Sequence, residues 1–141
     1  MPDSTPAEPD YACAIITAPD ERRLLQLRPP DARHAAGQLT CFGGAREPQE
    51  SAETCLRREL HEELDWTPGA IRPVCDLRCG SHFIARFFHC PMSTVTNLTT
   101  EPGHVAVWVP RHALAGLPLS PWHWAVLAAV DRGMGVVELP A

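Results

Sequence analysis

The order of elements along the chain predicts an α+β fold, a mixed β-sheet flanked by helices packed on its faces. Three observations carry this. Strand-like runs come first, then a helix, then strands again and a last helix, without the regular strand-helix alternation that builds a doubly wound parallel sheet. Leu56, Leu60 and Leu64 recur every fourth residue in an otherwise charged segment, the mark of a helix with one apolar stripe. At 141 residues and 45% apolar, the chain has one domain's length and can bury a core without disulfide or metal staples. The expected organisation is a flexible tail over residues 1–10 and a single domain over 11–141.

The tail, MPDSTPAEPD, carries three prolines and three acids and has neither the basic nor the apolar region of a secretory signal. YACAIIT (11–17) reads as a strand and RLLQLR (23–28) as another, with Pro19 to Arg22 as the turn of a hairpin or meander. Pro29, Pro30 and Asp31 open a loop that lasts to Gly37, and residues 39–42 form a short third strand ending at Gly43 and Gly44. A helix follows. Ser51 is its candidate N-cap, Glu53 favours the dipole in its first turn, and Pro68 and Gly69 end it near Asp65. Residues 71–79 and 82–90 read as two strands joined at Gly80 and Ser81, with Phe83, Ala85 and Phe87 on one face, and residues 105–109 as one more. Ser120 and Pro121 start an apolar helix that Gly133 stops.

Seventeen acids against twelve arginines, with no lysine, give a net charge of −5, which speaks against a nucleic-acid polymer as partner. No apolar run approaches the roughly 18 residues of a membrane span, so the expectation is a cytoplasmic protein with no membrane contact. Its six cysteines are then reduced and mostly buried. The charge is local: seven acids and three arginines between residues 46 and 65 leave −4 in that segment. Glu59, Glu62 and Glu63 share one helix face at i, i+3 and i+4, so this is either a solvated face or a place for a hard divalent cation such as Mg2+ or Mn2+.

The wider pattern decides between these. GAREPQESAETCLRRELHEELDW, residues 44–66, resembles the Nudix box, with Gly44, Glu50, Arg58, Glu59, Leu60, Glu62 and Glu63 in register. Asp65 stands where that family has glycine and Trp66 where an aliphatic residue is usual; Asp tolerates the left-handed conformation required, so the loop should survive. The resemblance implies an α/β/α sandwich and a pyrophosphohydrolase that cleaves a nucleoside diphosphate linked to another moiety. It also implies Glu59 and Glu63 as principal metal ligands, with Glu62 and the Gly43 carbonyl as further ones, and an Arg58–Glu50 pair that holds the array. The general base is either a box glutamate or Glu101, which precedes the strand containing Trp108. Arg28, at the end of the second strand, is either a contact to a substrate phosphate or a solvated charge.

Other readings carry less. Cys75, Cys79, His82, His89 and Cys90 lack a paired zinc spacing. Phe83, Phe87, Phe88, Trp108, Trp122 and Trp124 are expected mostly in the core, and His34, His104 and His123 on the surface. Ser81, His82 and Phe83 stand where subfamilies acting on ADP-ribose or dinucleoside polyphosphates carry a marker proline or tyrosine, which favours a nucleoside triphosphate or other small diphosphate among nucleotides and related diphosphates. A nucleotide-binding sensor and an isoprenyl diphosphate isomerase share the fold. Homodimers are common in the family, and the oligomeric state stays open.

Overall fold

A computed structural model describes residues 7–96 and 98–140. Its elements are β1 (Tyr11–Thr17), β2 (Arg23–Leu27), β3 (Leu39–Thr40), β4 (Phe42–Ala45), α1 (Ala52–Leu64), β5 (Arg72–Cys79), β6 (His82–Pro91), β7 (Val105–Val109), α2 (Pro121–Asp131) and β8 (Val136–Leu139), with a 3-10 turn at Arg111–Gly116. All eight strands form one mixed sheet in the order β3-β2-β1-β6-β5-β8, with β4 also on β1 and β7 on β2. The β1–β6 and β5–β8 pairs are parallel and the others antiparallel.

The sheet has a helix on each face because its central strands are apolar on both sides. Ala12, Ala14 and Ile16 of β1 face α1, together with Leu24, Phe42 and Phe88; the stripe Leu56, Leu60 and Leu64 closes this layer without solvent exposure. Cys13 and Ile15 point the other way, with Leu25, Leu77 and Phe87, onto Val126 and Leu127 of α2. Burying one such leucine is worth about 1.5–3 kcal/mol, so each helix is held to the sheet more by its stripe than by intrinsic propensity. Phe83 does not share the face of Ala85 and Phe87 in either core layer; it is buried beneath the Arg78 and Arg86 guanidiniums, 4.3 and 5.1 Å from its ring centre.

Both helix starts fall where expected. Ser51 accepts a hydrogen bond from the Thr54 N–H at 3.2 Å, and Pro121 opens α2. Asp65 takes up the left-handed C-cap at φ 51°, in place of glycine.

Four expectations need correcting. The third strand is two: β3 pairs with β2 and β4 with β1, and the change of partner at Cys41 bends the chain. β8 is an additional strand, registered on β5 from Asp76↔Val136 to Cys79↔Leu139. Residues 1–6 lie outside the described residues, but the last part of the expected tail is held: Pro9 is buried, Glu8 accepts from the Ala52 N–H at 3.1 Å, and Arg46 Nε donates to the Pro9 carbonyl at 2.7 Å. Trp122 and Trp124 lie on the open side of α2, 48% and 40% exposed, because the buried stripe of that helix is Val126, Leu127 and Ala129.

Candidate active site

Two glycines in the middle of β4 let α1 come close to the sheet. Gly43 has φ 147°, and a Cβ there would stand 2.1 Å from the Ala12 carbonyl oxygen. At Gly44 a Cβ would fall 2.4 Å from the Glu59 carboxyl carbon, so the missing side chain is the space that the Glu59 carboxylate occupies. One turn further on, Glu63 Oε1 accepts the Gly43 N–H at 3.2 Å.

Arg58 organises the rest. Its Nε and Nη2 donate to the two Glu50 oxygens at 2.7 and 2.8 Å, a bidentate fork that holds the Glu50 carboxyl down at about 2. Its Nη1 reaches Glu59 at 3.1 Å and Glu62 at 3.4 Å. Glu62 is thus turned to Arg58 and half exposed, and among the described residues no three Asp, Glu, His or Cys side chains already converge as a metal cage. The paired carboxylates are Glu59 and Glu63.

That pair is short of positive charge. Burial lifts Glu59 above the ordinary carboxylate range, against the pull of Arg58. Glu63 is pushed up to about 8, first by burial and next by the charge of Glu59; Glu101 adds to the rise, and the Gly43 N–H and Arg28 oppose it. Arg28 and Glu101 therefore both act on Glu63, although one follows β2 and the other precedes β7. Arg28 Nε donates to the His34 carbonyl at 3.2 Å. Glu101 Oε2 is 3.7 Å from His104 Nε2, and His104 Nδ1 is 2.7 Å from Gln26 Nε2.

In the metal-free protein the sign of the Glu63 shift fixes a stability trend. Between about 4.5 and about 8 the folded chain holds a proton that the unfolded chain has lost, so stability is highest at acid pH and falls as pH rises through that window. The expected outcome is a Tm lower at pH 8 than at pH 5 by roughly 5–10 °C on account of this group. Thermal melts at the two pH values, with chelator present, check it.

A model of the NUDIX domain matches residues 8–130. The chain belongs to the Nudix family. Its fold is similar to that of the MutT protein from Methanosarcina mazei Go1, at 24% identity and a TM-score of 0.71 over 91% of this chain and 97% of that one. The E. coli ORF135 protein is 27% identical with a TM-score of 0.69, over 86% and 87% of the two chains. The NUDIX domain of Shewanella oneidensis NrtR complexed with ADP ribose is 18% identical with a TM-score of 0.67, over 94% and 92%. A search of curated proteins returns no significant match.

Beside the box of this Nudix chain lies a cavity of about 920 Å³, lined by Arg28, Thr40, Gly43, Gly44, Trp122 and His123 among others. Sequence reasoning missed its far wall. His123 is not a surface group: its Nδ1 accepts the Cys41 N–H at 3.1 Å and its ring meets Phe87 edge-on. The cap at Ser120 and Pro121 could have located His123 in the first turn of a helix, but nothing local says which face of that turn looks onto the cavity. The cysteines and histidines weighed as zinc ligands are dispersed: Cys75 lies in the layer under α2 and Cys90 in the layer under α1. All six cysteines are free thiols. No described helix is long and apolar enough to cross a membrane.

Proposed function

We propose that this Nudix protein is a divalent-metal-dependent pyrophosphohydrolase acting on a nucleoside diphosphate linked to another moiety. One observation carries the reading. Gly43 and Gly44, which line the cavity together with Arg28, admit two partly buried, mutually repelling carboxylates, Glu59 and Glu63, against their backbone.

The donors fit a hard cation: carboxylate oxygens of Glu59 and Glu63, the Gly43 carbonyl, and Glu62 within one helical turn. The raised proton affinity of Glu63 reports the same deficit of positive charge that a cation would fill. When bound, Mg2+ or Mn2+ supplies charge against the diphosphate oxygens and acidifies water. The chain's own groups do the rest. Arg28 binds a non-bridging phosphate oxygen. Arg58, locked on Glu50, keeps the glutamates in their rotamers. Water attacks one phosphorus while its proton passes to a carboxylate, and the bridging P–O bond breaks with the leaving phosphate.

Glu101 is the carboxylate from outside the box that stands near enough to Glu63 to influence it, and we assign it the proton. Glu101→Gln is expected to lower kcat by about 10²-fold or more with KM little changed; an unaltered rate would give the role to a box glutamate. The function is tested by offering a panel of nucleoside diphosphate derivatives with and without Mg2+ and measuring released phosphate or monophosphate. Binding of these compounds without cleavage would replace the hydrolase with a nucleotide sensor.

A further inference from the structure

The strand break at Cys41 has a counterpart across the cavity. Between β3 and β4 the Cys41 N–H leaves the sheet and is donated to His123 Nδ1 at 3.1 Å. A backbone N–H only donates, so Nδ1 bears no proton, and a neutral ring then has its single proton on Nε2. Burial, aided by the positive charge of Arg28, lowers its pKa to about 4 and keeps it neutral. Phe87 meets the ring edge-on, with ring centres 5.5 Å apart at 75°, and fixes its orientation. Every fully buried polar side-chain atom among the described residues has a partner. No described residue engages His123 Nε2, and His123 is one of the residues that line the cavity.

Arg28 connects this end of the cavity to the other, because its charge acts on both Glu63 and His123. Under the proposed function, a molecule with a phosphate at Arg28 has room for its attached group in the part of the cavity lined by Trp122 and His123 of α2. We propose that His123 is the specificity-determining residue of the cavity: its Nε2–H is a fixed donor that selects a diphosphate whose heterocycle presents a carbonyl there, over the amino counterpart. The inference rests on the proposed function for the identity of the occupant. An amino group at that point sets N–H against N–H and leaves two desolvated donors unpaired, whereas a carbonyl accepts the bond.

The test measures dissociation constants on the full chain with Mg2+, using methylene-bridged diphosphates that resist cleavage, in the matched pairs inosine against adenosine and uridine against cytidine. The keto member of each pair is expected to bind about tenfold tighter. His123→Phe keeps the edge contact and removes the donor, and should bring the ratio to within about twofold of unity. His123→Gln places an amide N–H near the same point and should restore most of the preference. Nitrogen NMR of the wild-type ring needs no variant, and should show an unprotonated Nδ1 and a protonated Nε2 whose signal moves on binding the keto ligand. The same ratio in His123→Phe, an amino preference in the wild type, or a protonated Nδ1 would overturn the proposal. A keto preference without turnover of the cleavable analogues removes the hydrolase and leaves His123 in its role. Turnover without keto and amino discrimination does the reverse.

Discussion

Glu63→Gln is expected to reduce turnover by on the order of 10³-fold while the protein folds as well as before, or better. The two halves of this outcome share one cause. At neutral pH and without metal, Glu63 is largely in its protonated form, pushed up to about 8 by burial and by Glu59. Glutamine copies the shape of that form, and its oxygen can still accept the Gly43 N–H now held at 3.2 Å. What glutamine cannot supply is the negative charge that the cation of the proposed function would need. The variant should also lose the decline in metal-free stability between pH 5 and pH 8, since the group responsible no longer titrates. Activity assays and thermal melts at both pH values check these points. Turnover within tenfold of wild type would remove Glu63 from the metal set.

The second large effect separates the two neighbouring glycines. Gly43→Ala should destabilise the fold by about 3 kcal/mol or more, because its Cβ would meet the Ala12 carbonyl oxygen at 2.1 Å at a backbone angle that side chains rarely tolerate. Ala12 belongs to the central strand and cannot step aside. Gly44→Ala meets instead the end of a flexible side chain, the Glu59 carboxylate. It should keep most of the stability and lose about 10²-fold or more of the activity by displacing that carboxylate. Denaturant titration beside kinetics for the two variants distinguishes a backbone requirement from a space requirement.

These contrasts show what could be read from the chain and what could not. The α1 segment was legible because several local signals agree there: the leucine stripe, the Ser51 cap, and Pro68 with Gly69 beyond the end. The glutamate spacing placed Glu59 and Glu63 on the face that meets Gly43 and Gly44. Glu62 was harder, since helical spacing gives the turn but not the rotamer, and Arg58 draws that carboxylate away. β8 was missed for a different reason. Val136 to Leu139 is four residues between Gly135 and Pro140, too short to show a period, and its pairing with β5 is settled by tertiary contact alone. The split of β3 from β4 escaped for the same kind of reason: a strand that exchanges neighbours at Cys41 looks continuous in sequence.

The parallel pairing of β1 with β6 also bears on how the chain acquires this structure. β1 precedes the other described strands in the sequence, yet its partner along one whole side spans residues 85–91. One apolar face stays uncovered until α1 exists and the other until α2 does, one edge stays open until β6 is made, and β5 stays an open edge until residues 136–139 are in place. Contacts this distant in sequence make folding slow relative to a helical bundle of equal size, and leave the nascent chain prone to association before it closes. During synthesis on the ribosome, the α1 glutamates are therefore present well before the sheet that packs against them is complete.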